Sequence, residues 1–131
     1  MIDEIPIERL IGQAKLIDAR NVHLLTDKHK DAHLVENDDI VLVYGGVSDT
    51  LIDESFARLL LRKHVKVLGI DFASPDEYPF HIHKLLLADD ILILEHLTNL
   101  DALINQDFIE VVIAPIKIHT DGAIARVFAK I

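Results

Sequence analysis

Cysteine and tryptophan are absent from these 131 residues, and methionine occurs once, at position 1. Without cysteine there can be no disulfide framework, thiolate zinc site or cysteine nucleophile, so any metal site must be built from His, Asp or Glu; the same absence suits a reducing cytoplasm. Basic residues are few: 13 Lys and Arg against 22 Asp and Glu leave a formal charge of −9 at pH 7. That balance argues against a nucleic-acid partner held by a broad basic face. Long hydrophobic runs are missing too. The longest uncharged stretch, residues 40–48, is nine residues, against the roughly 20 that a bilayer-crossing helix requires. The acidic opening Met1-Ile2-Asp3-Glu4 is no signal peptide. The expectation is a soluble, cytoplasmic chain with no nucleic-acid and no membrane partner.

What remains is enough to close one core: 50% of the residues are hydrophobic, and the length suits a single domain over 1–131. Short, evenly spaced apolar runs predict alternating strands and helices, an α/β chain with a mixed sheet and flanking helices. A helical turn over 7–11, closed by Gly12, leads to a strand at 14–17. The run 40–44, rich in β-branched residues and left through Gly45-Gly46, reads as a buried strand. Asp53 or a neighbour caps a helix on which Phe56, Leu59, Leu60 and Lys63 keep helical spacing, and 65–70 is the next strand. The turn-rich stretch 71–79 is a loop, of the kind that carries sites at the carboxyl ends of strands. Beyond it come a helix over 80–88 bearing His83, a strand over 91–95 ending on Glu95, a helical segment at 97–104, a strand over 108–118 interrupted by Pro115, and a closing strand at 123–129. Residues 26–39 are the most polar and read as a mobile loop.

His83 and Glu95 are the first candidates for chemistry. They lie twelve positions apart, with Asp89-Asp90 as a turn between the elements that carry them. A helix packed on the strand it feeds can bring both side chains to one end of a sheet, and imidazole plus carboxylate is a ligand pair for zinc or manganese. On spacing alone, a helix-end histidine and a solvated glutamate at a strand end explain the same residues.

Several blocks, in order, add a resemblance. They are Ile2-Asp3-Glu4-Ile5-Pro6 with Leu10-Ile11-Gly12, Asp39-Ile40-Val41-Leu42, Leu68-Gly69-Ile70-Asp71 with Ser74-Pro75-Asp76, His83 with Leu85-Leu86, Ile91-Leu92-Ile93-Leu94-Glu95 with Leu97-Thr98-Asn99-Leu100, and Ala114-Pro115-Ile116-Lys117-Ile118 with Asp121-Gly122-Ala123. Together they resemble the C-terminal two-thirds of the cyclase family of metal-dependent hydrolases, which includes the bacterial kynurenine formamidases. The resemblance implies a swivelling β/β/α fold, here truncated at its N-terminus. It also implies a two-metal site of zinc or manganese, hydrolysis of non-peptide amide bonds in a small-molecule substrate, and a homo-oligomer. Five side chains hold the family's metals, and the last two, a His and a Glu twelve positions apart, fall on His83 and Glu95. The other three, and the acid-base histidine, belong to an HxGTHxDxPxH motif that this sequence does not contain. No catalytic residue is therefore assigned within the chain, and no substrate-binding residue either. The family's TGWS-like turn reads Tyr44-Gly45-Gly46-Val47-Ser48, without the tryptophan of a pocket wall.

A catalytic zinc generally takes three protein ligands and an open position for water. Two ligands should bind metal weakly, so half a site is expected here. Either the chain is a piece of such a hydrolase, or it is an inactive relative serving as a binding or subunit-interface protein. The remaining histidines have plainer readings. His81 can share the cleft of His83 or be a satisfied loop histidine. His96, next to Glu95 in a strand, should point to the opposite face. His119 stands where the family has glycine and can ligate or block. His23, His29, His33 and His64 read as surface residues. Asp71 and Asp76 read as turn and cap residues that can also support a ligand from behind.

Overall fold

The computed structural model describes residues 1–47 and 49–131; Ser48, the end of the altered turn, lies outside the described residues. In chain order the regular elements are β1 (Ile11–Asp18), β2 (Leu24–Leu25), β3 (Ile40–Tyr44), β4 (Leu51–Ile52), α1 (Glu54–Arg62), β5 (Val67–Ile70), α2 (His81–Ala88), β6 (Leu92–Leu94), β7 (Glu110–Pro115) and β8 (Ala125–Lys130). Six strands form one mixed sheet in the order β6-β5-β3-β1-β7-β8, and β2 pairs with β4 separately. The first four strands in that order run parallel, while β7 is antiparallel to both β1 and β8. This is the mixed α/β architecture that the alternation of runs predicts. Among the described residues, no helix is long and apolar enough to cross a membrane.

β3 sits inside the sheet and is covered on both faces, which is why its sequence is a continuous apolar run. Val41 and Val43 face the helices and pack with Phe56, Leu60, Ile82 and Leu86. Ile40 and Leu42 face the other way, into a second core with Leu100, Leu103, Ile109 and Val111. Period-2 alternation thus assigns one strand to two cores. Asp53 does cap α1: its carboxylate accepts from the Ser55 amide at 3.1 Å and the Ser55 hydroxyl at 2.6 Å. Those hydrogen bonds hold the Asp53 carboxyl below its ordinary pKa.

Several boundaries differ from expectation. Gly12 does not close a turn; the turn is a 3₁₀ helix over Ile7–Arg9, and Gly12 lies within β1, paired with Val111. Only Leu100–Leu103 of the 97–104 segment is helical, and as 3₁₀, because Asn99 enters in the left-handed region at φ 64°. β7 spans Glu110–Pro115 rather than 108–118; Pro115, which has no N–H to donate, is its last residue, although the Ile116 amide still donates to the Ile124 carbonyl oxygen at 3.1 Å. The polar stretch 26–39 is anchored: Ala32 and Val35 are buried, Asp31 accepts from the Asp18 amide at 3.0 Å, and the buried Asp39 carboxylate accepts from Lys15 Nζ at 3.0 Å and the Glu36 amide at 2.8 Å.

Candidate metal centre

Parallel strands joined through a helix place their carboxyl ends on one side, and the connecting helix begins on that same side. β5 and β6 are such a pair, with α2 between them. A side chain in the first turn of α2 and one just past the end of β6 must therefore be neighbours. His83 is the third residue of α2, and Glu95 follows Leu94, the last residue of β6. The His83 Nε2 atom stands 3.8 Å from Glu95 Oε1.

The loop from β5 to α2 completes the surroundings of His83. The Asp76 carboxylate lies 2.6 Å, through Oδ1, from His83 Nδ1. Through Oδ2 it accepts from the Ile82 amide at 2.6 Å and the His83 amide at 3.4 Å. Phe80, at φ 62°, is the residue before α2 and offers no side-chain cap of its own, so Asp76 satisfies the free amides of the first turn. The Phe80 ring meets the imidazole edge to face, with centroids 5.6 Å apart. The loop itself is pinned where Pro75 carbonyl oxygen accepts from the Ile52 amide at 2.8 Å. At the same end of the sheet, Asp71 accepts from the Gly45 and Gly46 amides at 2.7 and 3.0 Å, tying the altered turn after β3 to the end of β5.

His83 and Glu95 border a cleft of about 640 Å³ lined by residues of β5, β6, β7 and β8 and of α2. Its walls are mostly apolar, with Leu87, Leu97, Ile113, Pro115 and Ile124 among them and Ile2 and Ile5 closing one side. His96 is among the residues that border this cleft, and the alternation expected to turn it to the opposite face does not extend to it. The strand has ended by then: β6 stops at Leu94, and His96 has φ 58°, so alternation no longer governs its direction.

The other histidines fall elsewhere. His81 Nε2 pairs with Glu54 Oε1 at 3.0 Å, across to α1. This hydrogen bond, with a second from Arg58, holds the Glu54 carboxyl below its ordinary pKa. His119 turns to the N-terminus, with Nδ1 at 3.0 Å from Asp3 Oδ1 and 4.0 Å from Glu4 Oε1. Asp3, Glu4 and His119 are the one group of three or more among the described residues whose candidate ligand atoms lie within 4.8 Å of one another. Sequence spacing offered no sign of this pairing, since the partners are 116 positions apart. His29 Nδ1 is occupied locally by the Asp31 amide at 3.1 Å.

Residues 1–77 match the protein family described as "Putative cyclase". The chain belongs to that family. The matched region includes Asp71 and Asp76 and ends before His83 and Glu95. Two solved structures are similar to this family member. One is a "potential metal-dependent hydrolase with cyclase activity", with a TM-score of 0.79 and 27% identity over 97% of this chain and 68% of the other. The second is a "predicted metal-dependent hydrolase from Bacillus stearothermophilus", with a TM-score of 0.76 and 29% identity over 94% of this chain and 65% of its own. The chain therefore spans about two thirds of the length of each. No curated protein matches it.

The donor set can be tested for fit against a divalent metal. Ligand distances of about 2.0–2.2 Å at a tetrahedral angle put a nitrogen and an oxygen donor roughly 3.4 Å apart. The 3.8 Å between His83 and Glu95 is near that span and too long for a hydrogen bond between them. A nitrogen held from behind by a carboxylate, as His83 is, has the usual surroundings of a metal-bound histidine. The pair fits a metal, and it supplies two donors.

Proposed function

We propose that this cyclase-family chain contributes half of the metal site of a hydrolase for non-peptide amide bonds of the arylformamidase type, with His83 and Glu95 as ligands to zinc or manganese. The observation that carries the reading is the approach of His83 Nε2 to Glu95 Oε1 at 3.8 Å on the rim of an apolar cleft. A divalent metal bound there supplies Lewis acidity and a water whose pKa is lowered to about 7. His83 and Glu95 hold one side of that metal; the apolar walls exclude bulk water and take the uncharged part of a small amide substrate. Further donors have to come from outside the pair, because a catalytic zinc needs three protein ligands.

Titration of the metal-free chain with zinc and manganese by calorimetry tests this. Weak binding, lost in both His83→Ala and Glu95→Gln, is the expected result, together with no turnover of N-formylkynurenine by this chain alone. Tight stoichiometric binding would overturn the claim that two ligands are insufficient, and binding indifferent to both substitutions would overturn their assignment. A second reading, an inactive subunit-interface protein, draws support from an outward-facing apolar row in which Ile11, Val112 and Phe128 are neighbours across β1, β7 and β8. It entails self-association, and a monodisperse monomer in sedimentation would remove it.

A further inference from the structure

We infer that Asp76 is a positioning residue that fixes the tautomer of His83, placing the proton on Nδ1 and the free electron pair of Nε2 toward Glu95. The inference deepens the metal-site reading and rests on it only for its consequence, since the tautomer exists whether or not metal binds. The argument begins with what each oxygen of Asp76 does. Oδ2 is held by two backbone amides, from Ile82 at 2.6 Å and His83 at 3.4 Å, so the carboxylate cannot rotate away without uncapping α2. Oδ1 then has a fixed position, 2.6 Å from His83 Nδ1. An ionised carboxylate has no proton to donate, so in the neutral imidazole the proton of this short contact sits on Nδ1. With Nδ1 protonated, Nε2 carries the lone pair, and it is Nε2 that lies 3.8 Å from Glu95 with no hydrogen bond between them.

One side chain thus joins two tasks that are usually separate. It caps the helix that carries the ligand, and it selects which nitrogen of that ligand is open. The coupling explains why the cap comes from Asp76, six positions ahead of the amide it holds most closely, while Phe80 before the helix lends only its ring. It also makes an amide a poor replacement. The side chain introduced by Asp76→Asn would present one oxygen and one NH2 group: with the oxygen toward Nδ1 the NH2 group would face the Ile82 amide, another donor, and with the oxygen on Ile82 the NH2 group would donate to Nδ1 and favour Nε2–H.

Long-range 1H–15N correlation spectra of the metal-free chain at about pH 9, where an ordinary imidazole is neutral, read the tautomer directly. The His83 signal is assigned by its loss in His83→Gln. Wild-type His83 is expected as the Nδ1–H form, with the downfield-shifted, unprotonated resonance on Nε2. In Asp76→Ala the balance should move to Nε2–H, and in Asp76→Asn the pure Nδ1–H pattern should be lost. His81 and His119 serve as internal references that neither substitution should move. Glu95→Gln should leave His83 as Nδ1–H, which separates this inference from the ligand assignment: failure of zinc to bind the wild type would sink the metal reading while the tautomer stood. Nε2–H in the wild type, or an unchanged tautomer in a folded Asp76→Ala variant, would overturn the inference. If Asp76→Ala unfolds, as judged by circular dichroism, the wild-type and Asp76→Asn spectra still decide it.

Discussion

Gly69→Ala should destabilise the protein and narrow its cleft together. Gly69 lies in the middle of β5, in register with Leu42 on β3 and Leu94 on β6. A Cβ built there would lie 2.7 Å from Leu42 Cδ2 and 2.8 Å from Leu97 Cδ1. Carbon atoms rest at about 3.5 Å, so each methyl group must retreat by roughly 0.7 Å. Leu42 is 1% exposed and has no room to retreat without disturbing the second core. Leu97 borders the cleft two positions after Glu95 and is the one to move. Overpacking of this kind costs about 1–3 kcal/mol, while replacing glycine returns about 0.5–1 kcal/mol by restricting the unfolded chain. At the middle of these ranges the net loss is about 1.3 kcal/mol. With a urea m-value of about 2 kcal/mol/M, the unfolding midpoint should fall by roughly 0.6 M. In a Leu97→Ala background the same glycine substitution should cost less, by at least about 0.5 kcal/mol, because the two sites share a contact. An unchanged or raised midpoint for Gly69→Ala, or strict additivity with Leu97→Ala, would refute the reasoning.

Asp53→Ala should lower stability by about 1 kcal/mol through loss of the α1 cap, measured as a shift in the urea midpoint at neutral pH. Because hydrogen bonds from Ser55 and from Arg20 hold the folded Asp53 and Asp18 carboxyls below their ordinary pKa, their stabilisation is complete above the ordinary value and is lost as pH falls through the lowered one. Stability should therefore decline below about pH 4, and less steeply in Asp53→Ala than in the wild type. Lys15→Met should cost about 2 kcal/mol in the same assay, since Asp39, 3% exposed, would keep the Glu36 amide and lose the ammonium group 3.0 Å away. A midpoint within error of the wild type would show that the pair contributes nothing.

How far the sequence could lead depended on whether a residue's partner was local or followed from a strong repeating constraint. β3 was legible because Ile40 to Val43 are all buried, so neither face admits a polar residue. The α1 cap was legible because Asp53 and Ser55 satisfy each other two positions apart. The pairing of His83 with Glu95 was legible as a possibility, because a crossover helix and its following strand return the chain to one end of the sheet. Spacing alone could not choose it over a solvated pair, and the resemblance did. What resisted reading was long-range or irregular. His81 meets Glu54 across two helices, and His119 meets Asp3 across almost the whole chain. The direction of His96 could not be read from alternation, because β6 stops two residues before it. β2 and β4, two residues each, are too short to leave any pattern.

The acidic composition of this chain acquires a local meaning at the carboxyl ends of β5 and β6. Three carboxylates converge there, and the structure divides them by what their oxygens touch. Asp71 is occupied on both oxygens by the Gly45 and Gly46 amides, which fixes one loop to another. Asp76 is occupied on both by α2 and His83. Glu95 alone of the three has no hydrogen bond to a described residue; His83 Nε2 stands 3.8 Å from it, a distance that no shared proton spans. Backbone amides neutralise part of a carboxylate's charge and remove its lone pairs from use, so the first two are committed to structure. Glu95 keeps its lone pairs, beside a ring whose orientation the second carboxylate fixes. That division leaves Glu95, of the three, with lone pairs that no described amide takes up, and gives Asp71 and Asp76 the work of holding the loops in place around it.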